Sequence, residues 1–351
     1  MPALCRGIVW VRLERRGGWG NGGRLCPVDR RGGAAKEPRY VSPKTSVPPP
    51  SFGSLHTATV AAQAGQPESV AHCNGEGESM AQVVALVARK GGAGKTSIAA
   101  SLAAISVSKA LHTATVDLDS QANLSHWALG QEALGQLGSL NTVAALEYPP
   151  PQLARDDFPA LRAVETRKQL LEVVAPLCIH PVEHIPGLSI IPTANHIHAE
   201  TARDLVLSDL PFDVVFVDTP PDISTYAVRS VLRQADMVIS PVVCEPWAVD
   251  SIAALVKELR SVGRSDLVQS GGVRWVVNMR QRCALHDTLE KNIRKVWGPH
   301  ISRVVIPRSV AIAEASLDPR VLTKKHPLWK AGLAIWKELD SLAKKRSEVA
   351  A

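Results

Sequence analysis

The chain has 351 residues, of which 45% are hydrophobic and 21% are charged, and its formal net charge at pH 7 is +7. This is the composition of a globular protein with room for one large α/β domain or two small ones, and its basic balance suggests an anionic partner. No apolar run is long enough to span a bilayer, and the six cysteines form no pair or cluster with metal-ligand spacing, which fits free thiols in a reducing cytosol.

The first 79 residues differ from the rest of the sequence. They are rich in Gly, Pro, Ser and Arg and show no sustained helix or strand period, which predicts disorder. The stretch "GEGES", directly before Met80, would be encoded by purine-rich codons that resemble a bacterial ribosome-binding site. The hypothesis is therefore that residues 1–79 are a misannotated extension and that translation starts at Met80. A genuine disordered basic arm is the alternative.

From Met80 onward, short apolar runs alternate with segments of helical periodicity. This order predicts one α/β domain over residues 80–346, with a mostly parallel twisted sheet and helices on both faces. The predicted strands are Val83–Ala88, Thr113–Leu118, Leu188–Ile191, Val214–Asp218, Met237–Val243, Arg274–Asn278 and Val304–Ile306. A final amphipathic helix is predicted over Trp329–Leu342.

A glycine-rich loop with two lysines, "RKGGAGKTS", joins the first predicted strand to the first predicted helix. Its glycines allow backbone N–H groups to turn inward around a phosphate, and the helix that begins near Lys95 adds its positive N-terminal dipole. Lys95 would reach the β- and γ-phosphates, and the Thr96 hydroxyl would ligate Mg²⁺. The loop therefore predicts a site for the phosphates of a nucleotide and for Mg²⁺. The residues predicted to bind the nucleotide are Gly91, Gly92, Ala93, Gly94, Lys95, Thr96 and Ser97.

Two later segments place carboxylates at the ends of apolar strands. In "TATVDLDSQAN", alternation along the strand puts Asp117 and Asp119 on the same side. In "PFDVVFVDTPPD", four apolar residues run into Asp218, whose carboxylate would hold Mg²⁺ through water. Because phosphoryl transfer depends mainly on positioning and electrostatics, one well-placed carboxylate is sufficient beside such a loop.

The loop has Arg89 where the common phosphate-binding motif has glycine, and Lys-Gly-Gly-Ala-Gly-Lys-Thr resembles the deviant Walker A motif of ParA/MinD ATPases. "VIPRSVAIAEA" resembles the ParA branch in particular. The resemblance implies a DNA-partition ATPase with weak, partner-stimulated hydrolysis. It further implies an ATP-dependent homodimer in which the catalytic Lys90 reaches the partner's ATP. The same resemblance implies that the dimer binds DNA non-specifically and acts with a ParB-like centromere-binding protein. It also implies a cytoplasmic, nucleoid-associated location.

The same resemblance assigns roles to single residues. It implies that Asp119 positions or activates the attacking water and that Asp117 supports the metal. The family pattern Asp-x-Asp-Pro-Gln-Gly-Asn is broken here, because Ser120 replaces the proline and Ala122 replaces the glycine. Asn278 ends a strand where family members often contact adenine.

Basic residues are concentrated near the end of the sequence. Residues 274–330 contain twelve Lys and Arg against four Asp and Glu, a net charge of +8, so the remainder of the chain is close to neutral. No base-reading motif precedes the ATPase core, which predicts sequence-independent phosphate contacts that weaken with salt. The predicted DNA-binding residues are Arg308, by resemblance, and Arg280, Arg282, Arg294, Lys295 and Arg303, by charge.

Two other functions share these motifs. A MinD-like membrane-associated ATPase would use a C-terminal amphipathic helix, but Glu338 and Asp340 interrupt the basic face here. We expect the helix to pack on the sheet and the protein not to bind membranes. A metabolic or redox relative is the other alternative, although the cysteines lack the local context of an iron–sulfur motif.

Overall fold

The computed structural model describes residues 80–136, 144–150, 152–193, 204–316 and 318–350. Residues 1–79 lie outside the described residues, so their assignment stays a hypothesis. The strands are β1 (Gln82–Leu86), β2 (Thr113–Asp117), β3 (Glu147–Tyr148), β4 (His180–Pro181), β5 (Leu188–Ile191), β6 (Asp204–Leu205), β7 (Val214–Asp218), β8 (Met237–Val243), β9 (Val273–Arg280) and β10 (Ile301–Pro307).

Helices alternate with most of these strands. They are α1 (Lys95–Val107), α2 (Asn123–Gln136), α3 (Gln152–Asp157), α4 (Arg167–Cys178), α5 (Tyr226–Gln234), α6 (Ala248–Ser261), α7 (Ser265–Gln269), α8 (Ala284–Trp297), α9 (Val310–Ala315) and α10 (Pro327–Ala350). Short 3₁₀ helices cover Ala144–Leu146, Pro159–Ala163, Gly298–His300 and Pro319–Val321.

The main sheet has the strand order β10-β9-β8-β1-β7-β2-β5-β4. All its pairs are parallel except β4 with β5, and β3 pairs with β6 in a separate antiparallel ladder. The register aligns Leu86 of β1 and Asp117 of β2 with Asp218 of β7. The loops that follow these three strands therefore emerge together at the carboxyl edge of the sheet, where open α/β sheets bind their ligands.

Helices cover both faces of the sheet, as the uniformly apolar strands predict. Val84 and Leu86 point to one face, where they pack with residues of α1, α2 and α10. Val83 and Ala85 point to the other face, where they pack with residues of α4, α5 and α6. All five residues of β2 and of β7 are buried, so these strands form the centre of the domain.

The predicted α/β fold with a mostly parallel sheet is confirmed. Each of the seven predicted strands is present, and no strand end is displaced by more than three residues. The final helix is longer than predicted and packs against α1. Gly332 of α10 lies directly against α1, because a Cβ there would overlap Oγ of Ser101 and lie 2.8 Å from Cδ1 of Ile105.

Candidate nucleotide site at the carboxyl edge of the sheet

A cavity of about 710 Å³ opens at the carboxyl edge of the sheet. It is lined by the loop between β1 and α1, by the loops after β2, β7 and β10, and by the end of β9. Asp119, Asn278 and Arg308 line it together with the lysine and threonine of the glycine-rich loop. Its volume lies in the range of small-molecule binding sites.

The side chain of Asn278 supports the glycine-rich loop through a hydrogen bond. The Nδ2 atom of Asn278, at the end of β9, donates a hydrogen bond of 2.6 Å to the carbonyl oxygen of Ala93. Gly94 is the N-cap of α1 and has φ of 95°, in the left-handed region that favours glycine. A glycine cap has no side chain to accept from the first turn of α1, which leaves that helix terminus open to an anion.

Thr96 and Asp218 meet beneath this loop. The Oγ1 atom of Thr96 donates to Oδ2 of Asp218 at 2.5 Å. Among the residues that the structure describes, none donates to Oδ1 of Asp218, although this atom is buried. Burial and the charge of Asp117 raise the pKa of Asp218 to about 8, against the opposing effects of Thr96 and Lys95.

This carboxylate fits a magnesium ion. A hydroxyl oxygen and an unpaired carboxylate oxygen are ligands that Mg²⁺ accepts, directly or through water. The charged form of Asp218 is unfavourable despite the charge of Lys95, because the site is buried and Asp117 lies close to it. A bound divalent cation would reverse that preference.

The two carboxylates after β2 have different surroundings. Asp117 is fully buried, and its oxygens accept hydrogen bonds from N and Oγ of Ser125, both at 2.8 Å, and from N of Asp119 at 3.1 Å. Burial raises the pKa of Asp117 to about 6, and the bonds from Ser125 oppose the rise. Asp119 instead lines the cavity. The structure therefore brings Asp119 to the nucleotide cavity and ties Asp117 to the start of α2.

Lys90 lies at the entrance of the loop and lines a second, smaller cavity. Its Nζ atom forms an ion pair with Glu245, two residues beyond the end of β8. About half of each side chain is exposed, at 53% for Lys90 and 43% for Glu245. An ion pair as exposed as this contributes about 0–1 kcal/mol, so Lys90 can exchange this partner for another at little cost.

The predicted DNA-binding residues fall into two groups. Arg280 pairs with Asp287 and Glu290, and Arg294 pairs with Glu290 and donates to the carbonyl oxygen of Ser302 at 3.0 Å. Both guanidinium groups are thus paired with carboxylates of α8. The remaining predicted residues, all exposed, are Arg282, Lys295, Arg303 and Arg308. Arg308 also lines the nucleotide cavity.

The apolar stripe of the last helix is occupied inside the domain. Leu328, Ile335 and Leu339 are buried, and the ring of Trp336 lies 6.4 Å from that of Phe216 in β7. The packing predicted for this helix is therefore present. In the part of the chain that the structure describes, no helix combines the length and apolarity needed to cross a membrane.

Two residues of the site were not singled out from the sequence. Glu245 holds Lys90, and Ser125 donates twice to Asp117. The position of Glu245 carries a signal, because an acidic residue just after a buried parallel strand falls at the ligand-binding edge. Ser125 carries none, since its contact depends on how α2 folds back over the end of β2.

These features define a P-loop nucleotide-binding protein whose loop carries a second lysine. A family model, the CobQ/CobB/MinD/ParA nucleotide-binding domain, matches residues 84–320. The chain belongs to this family, whose P-loop members include ATPases. The predicted resemblance to ParA-type ATPases is thereby confirmed.

Individual relatives point to partition proteins. The chain is 28% identical over 252 residues to the chromosome-partitioning ATPase Soj of Thermus thermophilus. The match covers 70% of this chain and 88% of that protein. A putative plasmid partition protein of Borrelia burgdorferi bound to AMPPNP superposes with a TM-score of 0.54 at 17% identity, over 76% of this chain and 99% of that chain. The cell-division protein MinD of Aquifex aeolicus gives a TM-score of 0.52 at 17% identity, over 74% and 98%. The two structures share the fold with this chain.

Proposed function

We propose that the protein is an ATP-dependent DNA-partition ATPase that switches between a monomer and an ATP-bound dimer, and that the dimer binds DNA without sequence preference. The observation that carries the proposal is the pairing of the two-lysine loop with Thr96 and Asp218 beneath one cavity. The relatives named as partition proteins support the same function. Plasmid or chromosome segregation is the process in which such a switch would act.

Different residues of the chain bind the phosphates of ATP, hold Mg²⁺ and orient the attacking water. Lys95 and the first turn of α1 bind the β- and γ-phosphates, while Asn278 keeps the carbonyl of Ala93 turned away from them. Thr96 and Asp218 would hold Mg²⁺, which when bound neutralises charge on these phosphates. Asp119 orients the attacking water from the cavity wall. A ParB-like partner would stimulate this hydrolysis, which is weak in the protein alone.

Lys90 provides the dimer switch. In the single chain its ion pair with Glu245 is exposed and therefore easily exchanged. A triphosphate held by a second copy offers a stronger anionic partner, so Lys90 would close the dimer only when ATP is present. After hydrolysis the γ-phosphate leaves, and Lys90 returns to Glu245.

The exposed cations beside β9 and β10 would form the DNA surface. Arg282 follows β9, and Arg308 follows β10. Arg303 lies near the start of β10, and Lys295 lies near the end of α8. Arg280 and Arg294 are neutralised by their own carboxylates and would support the surface without touching phosphate. The same geometry argues against the MinD-like alternative, because the apolar face of α10 is packed on α1 and β7.

A matched pair of neighbouring residues tests the DNA surface. Lys295→Ala should weaken binding to random-sequence duplex and reduce the slope of log affinity against log salt by about 1. Arg294→Ala should leave the salt slope unchanged and lower the stability of the fold, because Glu290 loses a partner. Equal slopes for wild type and Lys295→Ala would remove this residue from the surface.

Two variants test the ATPase assignment. Lys95→Ala should abolish nucleotide binding, measured by equilibrium titration with a fluorescent ATP analogue. Asp119→Ala should retain ATP and DNA binding with little turnover, measured by phosphate release. Normal phosphate release from Asp119→Ala would refute the role given to this carboxylate.

A further inference from the structure

We propose that Trp247 anchors a self-complementary surface through which two copies of this chain meet, an inference that rests on the ATP-dependent dimer proposed above. This Trp247 surface comprises Arg89, Lys90, Asp222, Glu245 and Trp247. Its occupant is the same surface of a second copy, related by a two-fold axis.

Trp247 is the largest of the exposed apolar side chains in the described residues, with 69% of its surface accessible. A tryptophan buries 150–250 Å² when it is covered, on the order of a quarter of what one partner contributes to a small stable interface. Tryptophans at the centre of interfaces are among the residues whose removal costs most binding energy. An exposed tryptophan beside a functional loop is therefore a candidate anchor for a partner.

The backbone around Trp247 is already fixed. Its carbonyl oxygen accepts from N and Oγ of Ser251 at 3.0 and 3.1 Å, at the start of α6. The N–H of Ala248 donates to the carbonyl of Glu245 at 3.0 Å, which closes the turn that carries the indole. A side chain presented on such a rigid turn loses little further entropy when a partner covers it.

The position of Trp247 connects it to the dimer switch. Trp247, Lys90, Arg89 and Glu245 line one small cavity at the carboxyl edge of the sheet. Lys90 must face the partner if it is to reach the partner's nucleotide. A side chain on the rim of the same cavity then faces the partner as well.

The charges of the surface favour a second copy over an unrelated partner. Hydrogen bonds from Ser224 hold the pKa of Asp222 below its usual value, and the charge of Arg89 adds to the effect, so Arg89 and Asp222 lie near each other. The surface therefore carries two cations, Arg89 and Lys90, and two anions, Asp222 and Glu245. A two-fold interface requires a patch that complements itself, and balanced charges around an apolar centre satisfy this requirement.

The test is sedimentation velocity of the full chain with ATP and Mg²⁺, in an Asp119→Ala background that preserves ATP. Trp247→Ala should raise the dimer dissociation constant at least about tenfold, since each copy loses its anchor. Trp247→Phe should restore most of the dimer. Leu285→Ala, at a residue that is 60% exposed on α8, is the matched control and should dimerise like its background.

Binding of a fluorescent ATP analogue to each variant separates the possible failures. Unchanged nucleotide binding with a lost dimer in Trp247→Ala supports the inference. A normal dimer in Trp247→Ala overturns the inference and leaves the proposed function intact. A loss of nucleotide binding in this variant also overturns the inference, because Trp247 would then act on the nucleotide and not on the second copy. A background protein that stays monomeric with bound ATP overturns both the inference and the proposed switch.

Discussion

Gly94→Ala is the change whose cost follows most directly from the structure of the nucleotide loop. The φ angle of Gly94 is 95°, and a Cβ atom there would overlap Nδ2 of Asn278 and lie 3.4 Å from its Cγ. The amide of Asn278 is buried and holds the carbonyl of Ala93. The substitution therefore strains the backbone and displaces the side chain that supports the loop.

The two effects add to a measurable cost. The left-handed conformation costs an alanine about 1–2 kcal/mol relative to glycine. Separating the buried amide of Asn278 from the Ala93 carbonyl costs about 1–3 kcal/mol, because both groups lose their partner. Together they predict a loss of about 2–5 kcal/mol in the free energy of unfolding, a large fraction of the stability of an ordinary domain.

Urea unfolding without nucleotide, analysed by linear extrapolation, measures this loss. Gly91→Ala is the control, since a Cβ there meets nothing within 4 Å and the stability should stay within about 0.5 kcal/mol of wild type. In a double-mutant cycle, Gly94→Ala with Asn278→Ala should cost less than the sum of the single changes, because the overlap disappears. A Gly94→Ala protein as stable as Gly91→Ala would contradict the predicted strain and overlap at Gly94.

Three further changes test the rest of the domain. Ala122 is buried and has φ of 51°, so Ala122→Gly should relieve about 1–2 kcal/mol of backbone strain and lose about 0.8 kcal/mol of methyl burial. The free energy of unfolding should therefore rise by up to about 1 kcal/mol, and a lower stability would contradict this. Burial raises the pKa of Cys178 to about 12, so iodoacetamide should alkylate the exposed Cys283 first and leave Cys178 until denaturant is added, as peptide mass mapping would reveal. Gly332→Ala places a Cβ 2.8 Å from Cδ1 of Ile105 and should cost about 1–3 kcal/mol by separating α10 from α1; an unchanged urea midpoint would refute this contact.

Much of the fold was predictable because its strands are long enough to carry a pattern. The central strands are uniformly apolar, which distinguishes buried parallel strands from helices and from half-exposed strands. The two-residue strands β3, β4 and β6 could not be found this way, since two residues have no period. Their positions depend on tertiary pairing, such as that of Tyr148 with Asp204.

The site was predictable in its residue types and less so in their contacts. The loop and the strand-end carboxylates indicated a nucleotide site, and the structure gathers them at one edge of the sheet. The replacement of a family glycine by Ala122 was visible in the sequence, and its positive φ explains why glycine suits that position. The contact of Asn278 with Ala93 and that of Lys90 with Glu245 join residues more than 150 positions apart, and no local pattern records such pairs.

In the basic region, the number of charges in the sequence does not distinguish paired cations from exposed ones. Arg294 and Lys295 are neighbours of equal charge, but one is paired with Glu290 while the other is exposed. Only the folded arrangement of α8 separates a guanidinium that supports the fold from an ammonium that is available to phosphate.

The proposed ATP-dependent switch in DNA binding is tested most directly by binding of the protein to random-sequence duplex DNA at one fixed moderate salt concentration. The protein should be compared with ATP, with ADP and without nucleotide, using the Asp119→Ala variant so that ATP persists. We expect tight binding with ATP alone and weak binding in the other two states. Equal binding in all three states would contradict the proposed switch.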